Sequence, residues 1–119
     1  MKLAISATGS KLEDLMDQRF GRAAYFLIVE TETMEYEAIE NLGAAAGGAG
    51  IQTAQKVIDQ GAKVVITGNV GPNAMQVLQA AGVKIYTGNP VSAQELVELY
   101  QKGLLKEIET PVAAHSGMK

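Results

Sequence analysis

The strand-to-loop junction Ile66-Thr67-Gly68-Asn69 returns twenty positions later as Tyr86-Thr87-Gly88-Asn89, and this echo constrains the fold more than any other feature of the chain. Each copy closes a short apolar run and opens a strand–loop–helix passage. Strand, glycine turn and helix in immediate succession read as two consecutive right-handed βα units, whose strands lie parallel in one sheet. The pattern is not that of a solenoid repeat.

The segments around the echo fill in the units. Lys63-Val64-Val65-Ile66-Thr67 is nearly all apolar, as expected of a strand covered on both faces, and Val83-Lys84-Ile85-Tyr86-Thr87 is the strand after it. Ile51, Ala54, Val57 and Ile58 fall on one helical face ahead of Gly61. Ala74, Val77, Leu78 and Ala81 do the same ahead of Gly82. A third helix is expected from Ser92, where Ser92 and Glu95 form a capping box and Val91 can staple onto Leu96. Its buried stripe is Ala93, Leu96, Val97 and Tyr100, and Gly103 is its stop.

The first third of the chain reads as strands. Leu3–Ala7 is a short apolar run ending in the turn cluster Thr8-Gly9-Ser10. Tyr25–Glu30 is rich in aromatic and β-branched residues. Tyr36–Glu40 alternates like an edge strand, and the short Thr31–Glu35 link makes these two an antiparallel hairpin. The expected α/β architecture is therefore a mixed sheet, mostly of five strands, with helices packed on its faces. The 119 residues suit one domain, expected over 1–109, with Thr110–Lys119 as a flexible tail.

The bulk numbers remove several function classes. No apolar run approaches the roughly 20 residues of a membrane span, and the opening Met1–Ala7 is a strand rather than a secretory signal. There is no cysteine to form a disulfide or supply a thiolate. A soluble cytoplasmic protein without a membrane partner is expected. A net charge of −3 and 5% aromatic residues disfavour nucleic acid as a partner, since phosphate neutralisation dominates that affinity.

Three stretches could carry chemistry. Gly47-Gly48-Ala49-Gly50 precedes a helix, where glycines let backbone N–H groups converge and the helix start adds partial positive charge. Alone, it could equally be a linker between the two halves of the chain. Gly68-Asn69-Val70-Gly71-Pro72-Asn73 lies beyond the carboxyl end of a parallel strand, the usual place for ligands in open α/β sheets. A tight turn with an Asn cap would explain its Gly and Pro as well. Asp17-Gln18-Arg19-Phe20-Gly21-Arg22-Ala23 offers two arginines, fixed forks of donors suited to an oxyanion or thioanion, although surface arginines commonly only solvate. If Leu3–Ala7 is central, Thr8, Ser10, Arg19 and Arg22 line one edge beside both glycine loops. Glu13, Asp14 and Asp17 read as a solvated face or helix-start charge, and His115 as a solvated tail residue. The central strands Leu3–Ala7 and Val64–Thr67 hold no carboxylates, which a metal-dependent nuclease would need.

Taken in order, Met1-Lys2-Leu3-Ala4-Ile5-Ser6, Arg19-Phe20-Gly21-Arg22-Ala23, Gly47-Gly48-Ala49-Gly50-Ile51 and Ile66-Thr67-Gly68-Asn69-Val70-Gly71-Pro72-Asn73-Ala74 resemble the dinitrogenase iron–molybdenum cofactor biosynthesis family. The similarity covers about residues 1–105. It implies a ribonuclease H-like fold with sheet order 3-2-1-4-5 and helices on both faces. It also implies non-catalytic binding, carriage or storage of an anionic metal–sulfur cluster, molybdenum with iron or copper, and an acceptor or scaffold protein as partner. The site residues expected are Thr8, Arg19, Arg22, Gly47, Gly48, Gly50, Gly68, Asn69, Gly71 and Asn73. Without cysteine, the capture this chain supports is non-covalent, by amides, arginines and hydroxyls. The alternative from the same residues is a regulatory module for another small anion or a protein.

Overall fold

Val64, Val65 and Ile66 are buried, and the topology explains why a strand without polar residues sits there. The computed structural model describes residues 1–41 and 49–109. The elements run β1 (Lys2–Ala7), β2 (Tyr25–Glu30), β3 (Tyr36–Glu40), α1 (Ala49–Asp59), β4 (Val64–Ile66), α2 (Pro72–Ala80), β5 (Lys84–Thr87), α3 (Ala93–Gln101) and β6 (Lys106–Ile108). They form one mixed sheet in the order β3-β2-β1-β4-β5-β6. β1, β4 and β5 are parallel, with Ile5 opposite Ile66 and Ile66 opposite Tyr86. β2 runs antiparallel to β1, and β3 to β2.

Alternate residues of the central strands feed two cores. Ala4, Phe26, Ile28, Val65 and Ile85 pack with Ala54 and Val57 of α1 and Ala74, Met75 and Leu78 of α2. Leu3, Ile5, Leu27, Val29, Val64 and Ile66 pack with Ala93, Leu96 and Val97 of α3. A period of two turns successive side chains to opposite faces, so both faces need cover, and α1 and α2 supply one while α3 supplies the other. Gly61, Gly82 and Gly103 follow the three helices at φ 84, 80 and 74, the left-handed stop that L side chains resist.

Three expectations change. Among the described residues the sheet has six strands, not five, because Lys106–Ile108 pairs antiparallel with β5. Only Ile108 of that strand packs against a core, so Lys-Glu-Ile carries one apolar residue and no readable alternation. The α1 face also turns. Ile51 is 45% exposed, whereas Thr53 is 1% exposed. The face directed inward is Gly50, Thr53, Ala54 and Val57, spaced i, i+3, i+4, i+7, and a glycine and a threonine hide it from a hydrophobic count. In the second helix Ala81 is an exposed C-cap, and Met75 takes the buried place. The expected tail, 110–119, lies outside the described residues.

Candidate functional site

The strand pairings bring the candidate loops to one end of the sheet. Ala7 at the carboxyl end of β1 lies opposite Tyr25 at the start of β2. Tyr25 lies opposite Glu40 at the end of β3, and β4 ends beside β1 at Ile66. Thr8, the Arg19–Arg22 segment, Asn41 and the Gly68–Asn73 loop all leave from this edge. α1 and α2 begin there side by side: a Cβ on Gly50 would stand 3.4 Å from the Cβ of Ala74, ordinary contact between the two first turns.

The arginine segment is stitched to the β4–α2 loop through its backbone. Asn69 N–H donates to Gln18 O at 2.7 Å, and Phe20 N–H donates to Asn69 O at 3.1 Å. Gly68 is where the two chains touch. A Cβ there would lie 2.6 Å from Gln18 O and 2.8 Å from Gln18 Cα, so no larger residue fits without parting them. Phe20 is buried under this stitch, edge-on to Phe26 with ring centroids 5.2 Å apart.

Asp17 is a correction. It is 7% exposed rather than part of a solvated face, because it orients Arg19. Its carboxylate accepts from Arg19 N–H at 2.9 Å, Nε at 3.2 Å and Nη2 at 3.2 Å. The hydrogen bonds to Asp17 and its charge raise the Arg19 pKa further above its ordinary value. Two of the five guanidinium N–H groups are thereby used, and the outer edge remains for a ligand. Beneath the pair, Ser6 Oγ lies 2.6 Å from Asp17 O and 2.7 Å from Thr67 Oγ1, all buried. The carbonyl only accepts, so Ser6 donates to it and takes the Thr67 proton.

Arg22 is exposed and makes no ion pair among the described residues. Its flanking carbonyls are held by Asn41, a buried residue that sequence reasoning passed over. Asn41 Nδ2 donates to Gly21 O at 3.3 Å and Ala23 O at 2.9 Å, and Oδ1 accepts from Thr53 of α1 at 3.3 Å. The signal was faint, an Asn closing a strand.

The helix starts differ in what they offer. α3 is satisfied internally. Ser92 Oγ caps Glu95 N–H at 3.2 Å, and the N–H groups of Ala93 and Gln94 donate to Asp14 O and Leu12 O, each at 3.0 Å. α2 begins at Gly71 with no side-chain cap, Pro72 follows, and Asn73 is exposed in the first turn. Gly71 has φ −70° and open space around it, so neither backbone conformation nor crowding demands a glycine. A helix start with uncapped N–H groups and positive dipole suits an anion. Thr8 lies on the same edge but spends its hydroxyl proton on Leu15 O, at 3.2 Å. Asn69 exposes its side chain beside the stitch. Gly47 and Gly48 lie outside the described residues. Among the described residues no group of His, Asp and Glu is placed to hold a metal ion, and no helix is long and apolar enough to cross a membrane.

The fold and this edge define a small α/β protein with an amide- and arginine-lined sheet end. Residues 1–103 match the family profile described as dinitrogenase iron–molybdenum cofactor; the chain belongs to this family. It is similar to the apo form of the orange protein from Desulfovibrio gigas, with 37% identity and a TM-score of 0.89 over 94% of this chain and 96% of that one. It is also similar to a candidate NifB protein from Thermotoga, with 36% identity and a TM-score of 0.84 over 95% and 97%. An uncharacterized protein of Methanocaldococcus jannaschii is 32% identical over 113 residues, 92% of each chain.

Proposed function

We propose that this protein binds and carries, without catalysis, an anionic metal–sulfur cluster of molybdenum with iron or copper, which it passes to an acceptor or scaffold protein. Family membership supports the cluster theme. The observation that carries the reading is the contrast between helix starts. α3 is capped from within, whereas α2 opens uncapped at Gly71, beside the α1 start and on the edge that bears Arg19 and Arg22. Arg22 and the outer face of Arg19 neutralise charge in this reading. The N–H groups of Gly50, Asn73 and Ala74, with the Gly47–Gly48 stretch, orient the cluster, and Asn69 and Asn73 complete the rim, while Thr8, its proton given to Leu15 O, only borders it. The order 3-2-1-4-5 supports the ribonuclease H-like class, extended by an antiparallel edge strand. A cytoplasmic location fits this reading, because a reducing compartment preserves sulfide-level sulfur.

A charge-assisted hydrogen bond contributes about 1.5–3 kcal/mol, so losing one arginine weakens binding by about tenfold to a hundredfold. The test is anaerobic reconstitution with tetrathiomolybdate and copper(I), or with iron and sulfide, in the parent, Arg19→Ala, Arg22→Ala and His115→Ala. Metal and sulfide are then quantified, and the fold is checked by circular dichroism. The arginine variants should lose metal while His115→Ala keeps it. Arginine variants that load like the parent, with loss in His115→Ala, would overturn the assignment. Equal competition by phosphate or a nucleotide would favour the regulatory anion-binding module.

A further inference from the structure

Asn41 uses all of its amide at one junction. It grips the carbonyls on both sides of Arg22 through Nδ2, at 3.3 and 2.9 Å, and receives Thr53 of α1 on Oδ1 at 3.3 Å. Its own N–H donates to Ala24 O at 3.0 Å. Asn41 and Thr53 are 7% and 1% exposed, so water does not compete freely for these bonds. The junction ties three things: the end of β3, the segment that carries Arg22, and the inward face of α1 one turn from Gly50. Aspartate at this position would lose the donors, and a hydrophobic residue would leave two carbonyls and a hydroxyl unanswered.

We infer that Asn41, locked by Thr53, is a positioning residue for anion capture: it fixes the backbone of Arg22 relative to the α1 start, so that guanidinium and helix amides address one ligand. This rests on the cluster-binding reading above. A merely structural asparagine would lower stability in its variants without coupling to Arg22. A positioning asparagine acts through Arg22, and its effect disappears when Arg22 is absent. Releasing the Arg22 backbone, which must then be ordered again on binding, costs affinity by about fivefold to thirtyfold.

The experiment is a pair of double-mutant cycles on the full chain, with tetrathiomolybdate as probe and affinity read by visible absorption. Asn41→Ala should weaken binding within that range in the parent and in Arg19→Ala, and should have no effect in Arg22→Ala. Thr53→Val removes one hydroxyl while keeping its shape, and should repeat the pattern more weakly should Asn41→Ala fold poorly. ¹⁵N relaxation without ligand should show new motion at Arg22 and Ala23 while β1 and β2 stay rigid. Losses that add fully to that of Arg22→Ala, or an unchanged Arg22 backbone, would overturn this inference alone. A parent chain that does not bind the probe would overturn both it and the reading on which it rests.

Discussion

Gly68 and Gly71 stand three residues apart in one loop, yet the structure assigns them opposite consequences on substitution. A Cβ at Gly68 would stand 2.6 Å from Gln18 O and 2.8 Å from Gln18 Cα, both backbone atoms that have no rotamer to escape into. Gly68→Ala must therefore push the Gln18–Phe20 segment away. Forced overpacking costs about 1–3 kcal/mol. The bonds between Asn69 and Gln18 and between Phe20 and Asn69, at 2.7 and 3.1 Å, contribute about 1 kcal/mol each when lost. With both bonds lost, the expected destabilisation is about 3–5 kcal/mol. At Gly71 the added methyl meets nothing within 4 Å and the backbone is at φ −70°, ψ 165°, a conformation alanine adopts freely before proline. Reduced freedom of the unfolded chain gains about 0.4–1 kcal/mol, and alanine's poorer standing as an N-cap offsets about that much. Gly71→Ala should thus change stability by less than about 1 kcal/mol while crowding the uncapped helix start and weakening anion binding. Urea unfolding followed by circular dichroism measures both, with the slope checked for constancy. A Gly68→Ala variant as stable as the parent, or a Gly71→Ala variant that loses several kcal/mol, would refute the division of roles.

Other perturbations follow the same logic. Ser6→Ala removes the hydroxyl between Asp17 O and Thr67 Oγ1 and should cost about 1–3 kcal/mol in urea unfolding, because Thr67 and the carbonyl stay buried. The Met1 amine is hydrogen-bonded to Glu30, which lowers the Glu30 pKa below its ordinary 4.5 and raises the amine above 8.0. The Glu30 contribution is full above pH 4.5 and fades as pH falls through its folded value; the amine's is full below pH 8.0 and fades as pH rises through its folded value. Glu30→Gln should flatten the dependence of melting temperature on pH at the acid end, and an unchanged profile would argue against the pair. Arg22→Ala should reduce the salt sensitivity of anion binding more than Arg19→Ala, whose charge is partly answered by Asp17.

The parts of the fold legible in sequence were those with a period. Val64–Ile66 announced a doubly covered strand, the Thr-Gly-Asn echo announced two βα units, and Gly61, Gly82 and Gly103 marked the helix stops. β6 was not legible because three residues with one apolar side chain have no period. The inward face of α1 is not legible at Ile51, because Gly50 and Thr53, which face α2 and Asn41, do not look like core. The candidate loops were legible as glycine and arginine motifs. Their connections were not: the Asp17 clasp and the Asn41 junction join residues distant in sequence or buried against expectation, and nothing local marks a carboxylate or an amide for such a place.

The proposed cluster site lies at the α1 and α2 starts, between Arg19 and Arg22. The most direct measurement is amide chemical-shift mapping of the ¹⁵N-labelled full chain during anaerobic titration with tetrathiomolybdate, followed by copper(I). Saturable shifts are expected at Gly50, Gly71, Asn73 and Ala74 and at the side-chain Nε of Arg19 and Arg22, with the internally capped Ala93 and Gln94 unmoved. Shifts confined to Ala93 and Gln94, or to His115 and its neighbours, or no shifts at millimolar probe, would contradict this site.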